Sequence, residues 1–567
     1  FVFIEMTTGF KNAMMNLLEA LVNETAITIE WQDDNRMTAV IPNIADSSKQ
    51  HQITAMCQQN PFSNEVERFS WETILIDQCR IQTIADLKVI GFNEQQYSIL
   101  QQNIEASDYL ETIYEQCQIV SPKILEYIGK LTGVSLALNF DRTQSAAYAN
   151  LLAQLPAREA LLITETCGNI DGSTGNPIKN VMFGPKPNAI EHHPISVAFK
   201  QGVTQLQLVS YPKSELLESG SIPLHLTNYF KFYIKNHHQI PMNKYSDVQD
   251  AIDAFVSLSK RSFMPLIGDY QIKTSFPAQI TSENRTIDWK TAEDAIECAR
   301  VVYELANLKM LPKHIWILPT LFAAQIKDDD NTTFYIRGGL NDAYSNELNT
   351  GVPSNLTPVT ACALTSRNIV TPNKTLFESL VEFGFDPMVL FKDISNAIIG
   401  AQLHFIGIRW IPDAHTQNVA YLFDMKKKSF AGLLLKDAEC EKNKIIRGGK
   451  LTSYVFDCKA KAQSTSESHG RIIISTLYFH HTIYTKHIQP IAQLLHNKYQ
   501  ISIDDIQKIV HNSLTTWIEN NPEMNIEYKL DLTGHYYERN LACKTLKIGK
   551  PPHYRLIQNH KLLPVLH

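Results

Sequence analysis

The 567-residue chain contains no Walker A loop and no Rossmann glycine pattern, so a bound nucleotide has to be gripped by other means. It has no CxxC pair. Its nine cysteines are scattered singly from Cys57 to Cys543, and an odd, dispersed count argues for reduced thiols in the cytoplasm, not a disulfide framework. The His-His pairs at 192–193, 237–238 and 480–481 have no cysteine nearby, which argues against zinc. No apolar run approaches the length of a membrane span. The opening FVFIEMTTGF lacks the basic start and long apolar stretch of a signal peptide, and Met6 is a candidate initiator. Basic residues are not in excess: the net charge of −6 gives no electrostatic reason to expect nucleic acid or an anionic membrane. What remains is a soluble globular chain, 44% apolar and 19% charged, long enough for two to four domains.

The most informative stretch runs from Pro412 to Asp437. Asp413, His415, Gln417 and Asn418 crowd into six residues, Val419 to Phe423 leaves at strand length, and Asp424 to Ser429 turns. Phe430 to Leu435 then returns to Lys436 and Asp437, which predicts a loop feeding a β-hairpin with Asp437 back beside the acidic cluster. A hard cation such as Mg²⁺ takes one or two carboxylates, with water and phosphate completing its shell. Protein kinases meet that need with Asp and Asn on one loop and a second Asp after the next hairpin. Asp413, Asn418 and Asp437 are therefore candidate metal ligands. The same letters also describe a polar loop before an ordinary hairpin.

Elsewhere the pattern predicts elements more than chemistry. Residues 1–135 read as mainly helical, with an apolar face at Phe10, Met14, Leu17, Leu18 and Leu21, a loop-like stretch from Ile41 to Asn60, and short helices around Pro122. Ala146 to Leu155 reads as a helix, Ala160 to Thr164 as a short strand, and Cys167 to Pro177 as a glycine-rich turn. Gly268 to Arg285 alternates over one long strand, with Gln271, Lys273, Ser275, Gln279 and Thr281 facing away from the core. Asp294 to Leu308 is an amphipathic helix whose flank carries Arg300, and Ile315 to Ala324 a strand running into a short helix. Asn349 to Asn373 is loop-rich and the preferred domain boundary. Lys374 to Phe383, Gly470 to Leu495 and Ser502 to Trp517 read as helices, the second broken before Pro490 and the last capped by Ser502.

The motifs resemble those of the NRPS-independent siderophore synthetases, the IucA/IucC family. DAHTQN followed by a hairpin and KD is similar to the family's E-A-H-x-Q-N … R-D, with Asp413 in place of Glu and Lys436 in place of Arg. EHHPISVAFK at 191–200 resembles E-G-H-P-x-H-P-x-x-K through His193, Pro194 and Lys200, although Ser196 and Val197 replace the second His-Pro. Lys273, Ser275, Thr281, Ser282 and Arg285 match the K-x-S … I-T-S-x-x-R segment. The segment Lys486 to Pro490 resembles H-L-x-P, and Ala542 to Lys547 resembles A-K-A-L-x-x-R. The resemblance covers roughly 190–550.

It implies a three-part, hand-like α/β (α+β) architecture. The parts are an N-terminal thumb at 1–135, β-rich fingers at 136–370 and a palm of helices and β-hairpin at 371–567. It implies ATP and Mg²⁺ as cofactors, held by Lys273, Ser275, Thr281, Ser282, Arg285, Gln417 and Lys436 for the nucleotide and by Asp413, Asn418 and Asp437 for the metal. Catalytic roles fall to His415, His193 and Lys200, and substrate contacts to His415, Arg300 and Lys544; the helix itself favours a surface ion pair of Arg300 with Glu297 or Glu304 over that contact. The implied activity is adenylation of citrate or a related polycarboxylate, then condensation with a polyamine, hydroxylamine or amino-alcohol, in a cytoplasmic enzyme with a homodimer as a compatible assembly. A kinase-like phosphotransferase and a non-catalytic polycarboxylate-binding homologue are the competing readings.

Overall fold

The computed structural model describes the chain except residues 1–7, 33–34, 47, 60–65, 68, 99, 102–103, 106–107, 109–111, 113–122, 134–143, 167–202, 211–215, 221–231, 237–247, 258, 260, 281–282, 331–332, 348–350, 369, 409, 411, 438–445, 448–449, 452–477, 525–535, 539–553 and 557–567. For scattered residues within helices and strands, 204–205, 207–210, 232–236, 248–251, 276–280 and 283–285 among them, it describes the backbone alone. The fold is mixed α/β, as expected, and is built around three principal sheets.

The N-terminal helix Thr8–Thr25 buries Met14, Leu17, Leu18, Leu21 and Val22. It packs on a five-stranded antiparallel sheet ordered Thr28–Trp31, Arg36–Pro42, Gln50–Met56, Leu75–Ile76 and Cys79–Arg80. This corrects the expectation of a mainly helical region with a loop over 41–60. In Gln50–Met56 only Ile53 and Ala55 are buried; polar His51 heads that inner face and Met56 ends the outer face of Gln50, Gln52 and Thr54, which conceals the period of two. The next correction is Ala157–Glu165, a helix where a strand was expected at 160–164. Every side chain from Ala160 to Glu165 is buried, and an all-round apolar segment shows no helical stripe.

The central sheet has eight antiparallel strands in the order Phe232–Asn236, Thr204–Ser210, Val248–Val256, Ser262–Pro265, Tyr270–Thr274, Phe334–Gly338, Thr320–Ile326 and Leu216–Gly220. The single strand expected over 268–285 breaks at Ser275. Phe276–Ile280 pairs instead with Glu283–Arg285 in a separate two-stranded ribbon. The polar row is not solvent-facing either: Gln271, Lys273 and Ser275 are 7%, 5% and 1% exposed. One face of the sheet packs Tyr270, Ile272, Phe322, Phe334 and Ile336 together. On the other, Ala323 and Tyr335 pack with Ala292 and Ile296 of the helix Trp289–Asn307, which Asp288 caps by accepting from the Thr291 N–H at 2.6 Å.

Ile315 to Ala324 is two strands, not a strand and a helix. Ile315–Ile317 belongs to the third sheet and Thr320–Ile326 to the eight-stranded one, so the chain changes sheets at Leu318 and Pro319. The third sheet has four strands, ordered Ile315–Ile317, Ser429–Leu435, Val419–Asp424 and Thr357–Thr360. Two of these lie before residue 371, so the palm expected to begin there draws strands from the preceding region. The hairpin formed by Val419–Asp424 and Ser429–Leu435 is the one the sequence predicts. Helices Ala147–Gln154, Leu376–Phe383, Pro387–Gly407, Gln489–Tyr499 and Ile503–Asn520 share one core with this sheet. Ser502 caps the last of these helices as expected. Within the stretch expected to be a long helix broken before Pro490, residues Tyr478–Ile488 are π-helical and Gln489–Tyr499 α-helical. Among the described residues, no helix is long and apolar enough to cross a membrane.

Candidate active site

All six residues of Val419–Asp424 are buried, and each large apolar side chain contributes about 1.5–3 kcal/mol on burial. That anchors the hairpin, and its open end carries the polar loop. Asn418 donates its backbone N–H to the His415 carbonyl at 2.7 Å, closing a turn. The Asp413 carboxylate accepts from the His415 N–H at 3.3 Å and from Asn418 Nδ2 at 3.1 Å. His415 Nδ1 accepts from the Gln417 N–H at 3.4 Å. The returning strand closes on the same turn, with the Lys436 N–H donating to the Asn418 carbonyl at 2.7 Å. Asp413 is exposed, and His415, Gln417 and Asn418 are half-buried.

Asp437 meets the central sheet. Lys273 Nζ stands 2.9 Å from its Oδ2 and the Arg337 guanidinium 2.7 Å from its Oδ1. Lys273 pairs with Tyr335 across the strands and Gln271 with Arg337, so both cations lie on one face. Both stack on the Tyr335 ring, at 5.0 and 5.5 Å from its centroid. The two cations hold the Asp437 carboxyl far below the usual carboxylate range, overriding its burial. A pair of fixed, partly desolvated cations presented with one carboxylate is suited to a polyanion such as a triphosphate.

Lys436, expected to touch nucleotide, is 4% exposed and turned the other way. Its ammonium contacts Glu165 at the end of Ala157–Glu165 and Thr360 Oγ1 at 3.2 Å, while Thr360 donates to Glu165 at 3.3 Å. Burial pushes the Lys436 ammonium down to about 7, with the Asp437 charge opposing. The structure thus gives Lys436 a packing role between a helix, a strand and the hairpin. Ser275 is likewise committed: its hydroxyl donates to the Asp330 carbonyl at 2.6 Å and accepts from the Ile287 N–H at 2.7 Å. Arg300 forms the surface pair with Glu297, at 3.0 Å with 68% of its side chain exposed. His193, Lys200, Thr281, Ser282 and Lys544 lie outside the described residues, as does the side chain of Arg285.

Asp413, Asn418 and Asp437 offer the hard oxygen donors that Mg²⁺ prefers, and all three lie at the same end of the hairpin. Among the described residues, no three His, Cys, Asp or Glu side chains gather as a metal-holding group, and Asp437 is turned to its two cations. Sequence reasoning missed Arg337, a lone cation in an apolar strand, and Glu165, an acid closing an apolar run; both partners are remote in the chain. It singled out Lys486 to Pro490 by its likeness to H-L-x-P but gave His487 no role, and it missed the pairing of His487 with Tyr421. His487 Nε2 donates to the Ala414 carbonyl at 2.8 Å, which fixes the tautomer, and Nδ1 accepts from the Tyr421 hydroxyl at 2.7 Å. Burial pushes the imidazole down to about 4.

No protein-family model matches the chain, and no curated protein does. Solved structures do match it. The petrobactin biosynthesis protein AsbB of Bacillus anthracis strain Sterne aligns with a TM-score of 0.66 and 12% identity, over 98% of this chain and 96% of that one. Aerobactin synthetase IucC from a hypervirulent pathotype of Klebsiella pneumoniae aligns at 0.65 and 12%, over 92% and 93%. The ATP-bound aerobactin synthetase IucA from the same pathotype aligns at 0.62 and 12%, over 98% and 100%. At this identity the likeness is one of fold: the chain has the fold of these proteins over nearly its whole length.

Proposed function

We propose that the chain is a siderophore synthetase of the IucA/IucC type, an ATP-dependent ligase joining a carboxylate of citrate, or a related polycarboxylate, to an amine or alcohol. A carboxylate oxygen attacks the α-phosphorus of ATP and pyrophosphate leaves. The nucleophile then attacks the acyl carbon of the adenylate, loses its proton, and AMP leaves with the electron pair of the broken C–O bond. The observation that carries this reading is the convergence of Lys273 and Arg337 on Asp437 beside the Asp413–Asn418 loop. The fold shared with an ATP-bound synthetase supports it.

Bringing a polycarboxylate to a triphosphate costs about 4 kcal/mol for each pair of like unit charges at 4 Å and an effective dielectric near 20. Lys273 and Arg337 offset part of this by binding phosphate oxygens, assisted by His193, Lys200, Thr281, Ser282 and Arg285. Oxygens of Asp413, Asn418 and Asp437 would hold Mg²⁺, which would supply further neutralisation when bound. His415 contacts the carboxylate that is activated, Gln417 the nucleotide, and Lys544 the substrate. No covalent nucleophile is required, so the rate enhancement comes from alignment and charge.

The test is a product assay with ATP, Mg²⁺ and citrate against diamines, hydroxylamines and amino-alcohols. The expected products are AMP and pyrophosphate, formed only with the acid present. ADP would favour a phosphotransferase, and absence of acid-dependent pyrophosphate with every nucleophile would remove the reading. His415→Ala is expected to abolish turnover while ATP still binds by calorimetry.

A further inference from the structure

The segment from Pro412 to Asn418 is neither helix nor strand, yet it carries Asp413, His415 and Asn418. Two of its backbone bonds are internal, the Ala414 N–H to the Pro412 carbonyl at 2.8 Å and the Asn418 N–H to that of His415 at 2.7 Å, and other carbonyls are held from outside. The Cys362 N–H donates to the Thr416 carbonyl at 3.3 Å, and the Lys436 N–H to that of Asn418 at 2.7 Å. The Ala414 carbonyl receives the His487 imidazole at 2.8 Å. That carbonyl belongs to the same planar peptide unit as the His415 N–H, and the His415 N–H donates to the Asp413 carboxylate at 3.3 Å. Fixing one edge of the plane aims the other. The imidazole is itself fixed, because the Tyr421 hydroxyl occupies Nδ1 at 2.7 Å and both rings are at most 2% exposed.

The position of His487 is specific in a second way. It falls in the last turn of the π-helix Tyr478–Ile488, immediately before the α-helix Gln489–Tyr499. A π-helical stretch is rare and often marks a functional site. A buried imidazole placed only to fill space would be better replaced by a hydrocarbon, since polar burial costs free energy unless hydrogen bonds offset it. Here both nitrogens are used, and one is used on the loop.

We propose that His487 is a positioning residue, relayed by Tyr421, that sets the Ala414–His415 peptide plane and through it the geometry of Asp413 and His415. The inference rests on the reading of this loop as the element that activates the acid. It assigns no contact between His487 and substrate, ATP or metal.

Two readouts test it on the full chain. The first is citrate-dependent exchange of pyrophosphate into ATP, which needs no amine. His487→Leu is expected to lower kcat about 100-fold, the scale of a misplaced catalytic group, with KM for ATP within about twofold. His487→Gln, whose amide nitrogen can still donate to the Ala414 carbonyl, is expected to recover kcat to within about fivefold of the wild type. Tyr421→Phe, which keeps the ring and removes the relay, serves as the milder variant should the leucine variant not fold. The second readout is the ¹⁵N spectrum of His415. With Nδ1 accepting from the Gln417 N–H, the wild type carries its proton on Nε2, as should His487→Gln, while His487→Leu averages the two tautomers. Unchanged His415 signals in folded His487→Leu, or equal losses in His487→Leu and His487→Gln, overturn the proposal. Altered His415 signals in a protein whose wild type shows no exchange retain the positioning and remove the functional reading.

Discussion

Burial pushes the Lys436 ammonium down to about 7, so its charge leans on the anions around it, Asp437 next in the chain and Glu165, which reaches it from 271 positions away. The pair of Lys436 and Glu165 is expected to behave as buried ion pairs do: removing one partner leaves the other uncompensated, whereas removing both does not. Glu165→Gln should lower unfolding stability by about 3–5 kcal/mol, and Glu165→Gln combined with Lys436→Met by clearly less. Denaturant midpoints of the two singles and the double check this; simple additivity would mean that the pair is not coupled. His487 adds a pH dependence. Burial sets its folded value at about 4, below the ordinary 6.5, so the unfolded chain takes up a proton that the folded chain refuses. The stability is full above about pH 6.5 and is lost as pH falls towards 4, by about 3 kcal/mol for a shift of this size. His404, lowered by burial in the same direction, contributes alongside. In His487→Gln the fall in denaturant midpoint between pH 7 and pH 4 should shrink; an unchanged slope would place the proton elsewhere. Glu165 and Arg337 were invisible beforehand because a single charge in an apolar run acquires meaning only from a partner that folding brings to it.

At the scale of elements, the hairpin was legible because its turn is polar and both arms are apolar at strand length. Its close contact with Ile315–Ile317 was not. A Cβ on Gly432 would lie 2.3 Å from the His314 carbonyl oxygen, and the ladder carries an irregularity between Leu422 and Phe423 beside it. Gly432→Ala is expected to cost about 1–3 kcal/mol of stability through this overpacking, read as a lowered melting temperature. A melting temperature equal to that of the wild type would mean that His314, just before the strand Ile315–Ile317, moves aside freely. The same contrast explains the other elements. Ser502 announced its helix by capping chemistry, which is local. Ala157–Glu165 shows no clean stripe because its last six residues are buried on every side, and periodicity cannot type such a run. The break at Ser275 depends on Asp330 and Ile287, which alternation within 268–285 could not contain. The loop residues Asp413, His415 and Asn418 were therefore readable as a group. The contacts of His487 with Tyr421 and with the Ala414 carbonyl were not, although His487 lay in a segment singled out for its motif.

At the scale of the whole molecule, the eight-stranded sheet and the four-stranded sheet are tied where Lys273 and Arg337 reach Asp437. The two cations are 5% and 4% exposed and face a single carboxylate, so these three side chains sum to one positive charge. In the free protein Asp437 occupies the place that a phosphate oxygen would take in the proposed complex. Asp437→Asn should then have two linked consequences. Without nucleotide, the buried cations lose their counter-charge, and stability falls by about 3–5 kcal/mol. With ATP present, the triphosphate restores that charge, so ATP should raise the melting temperature of the variant by more than that of the wild type. The Mg²⁺ concentration needed for that shift should also rise, because one carboxylate donor is gone. Arg337→Ala, which removes a cation in place of the anion, predicts the reverse: little loss of stability relative to Asp437→Asn and a smaller ATP shift than in the wild type. Equal ATP shifts in all three proteins would mean that nucleotide does not approach this contact, and that the two sheets meet here for packing alone.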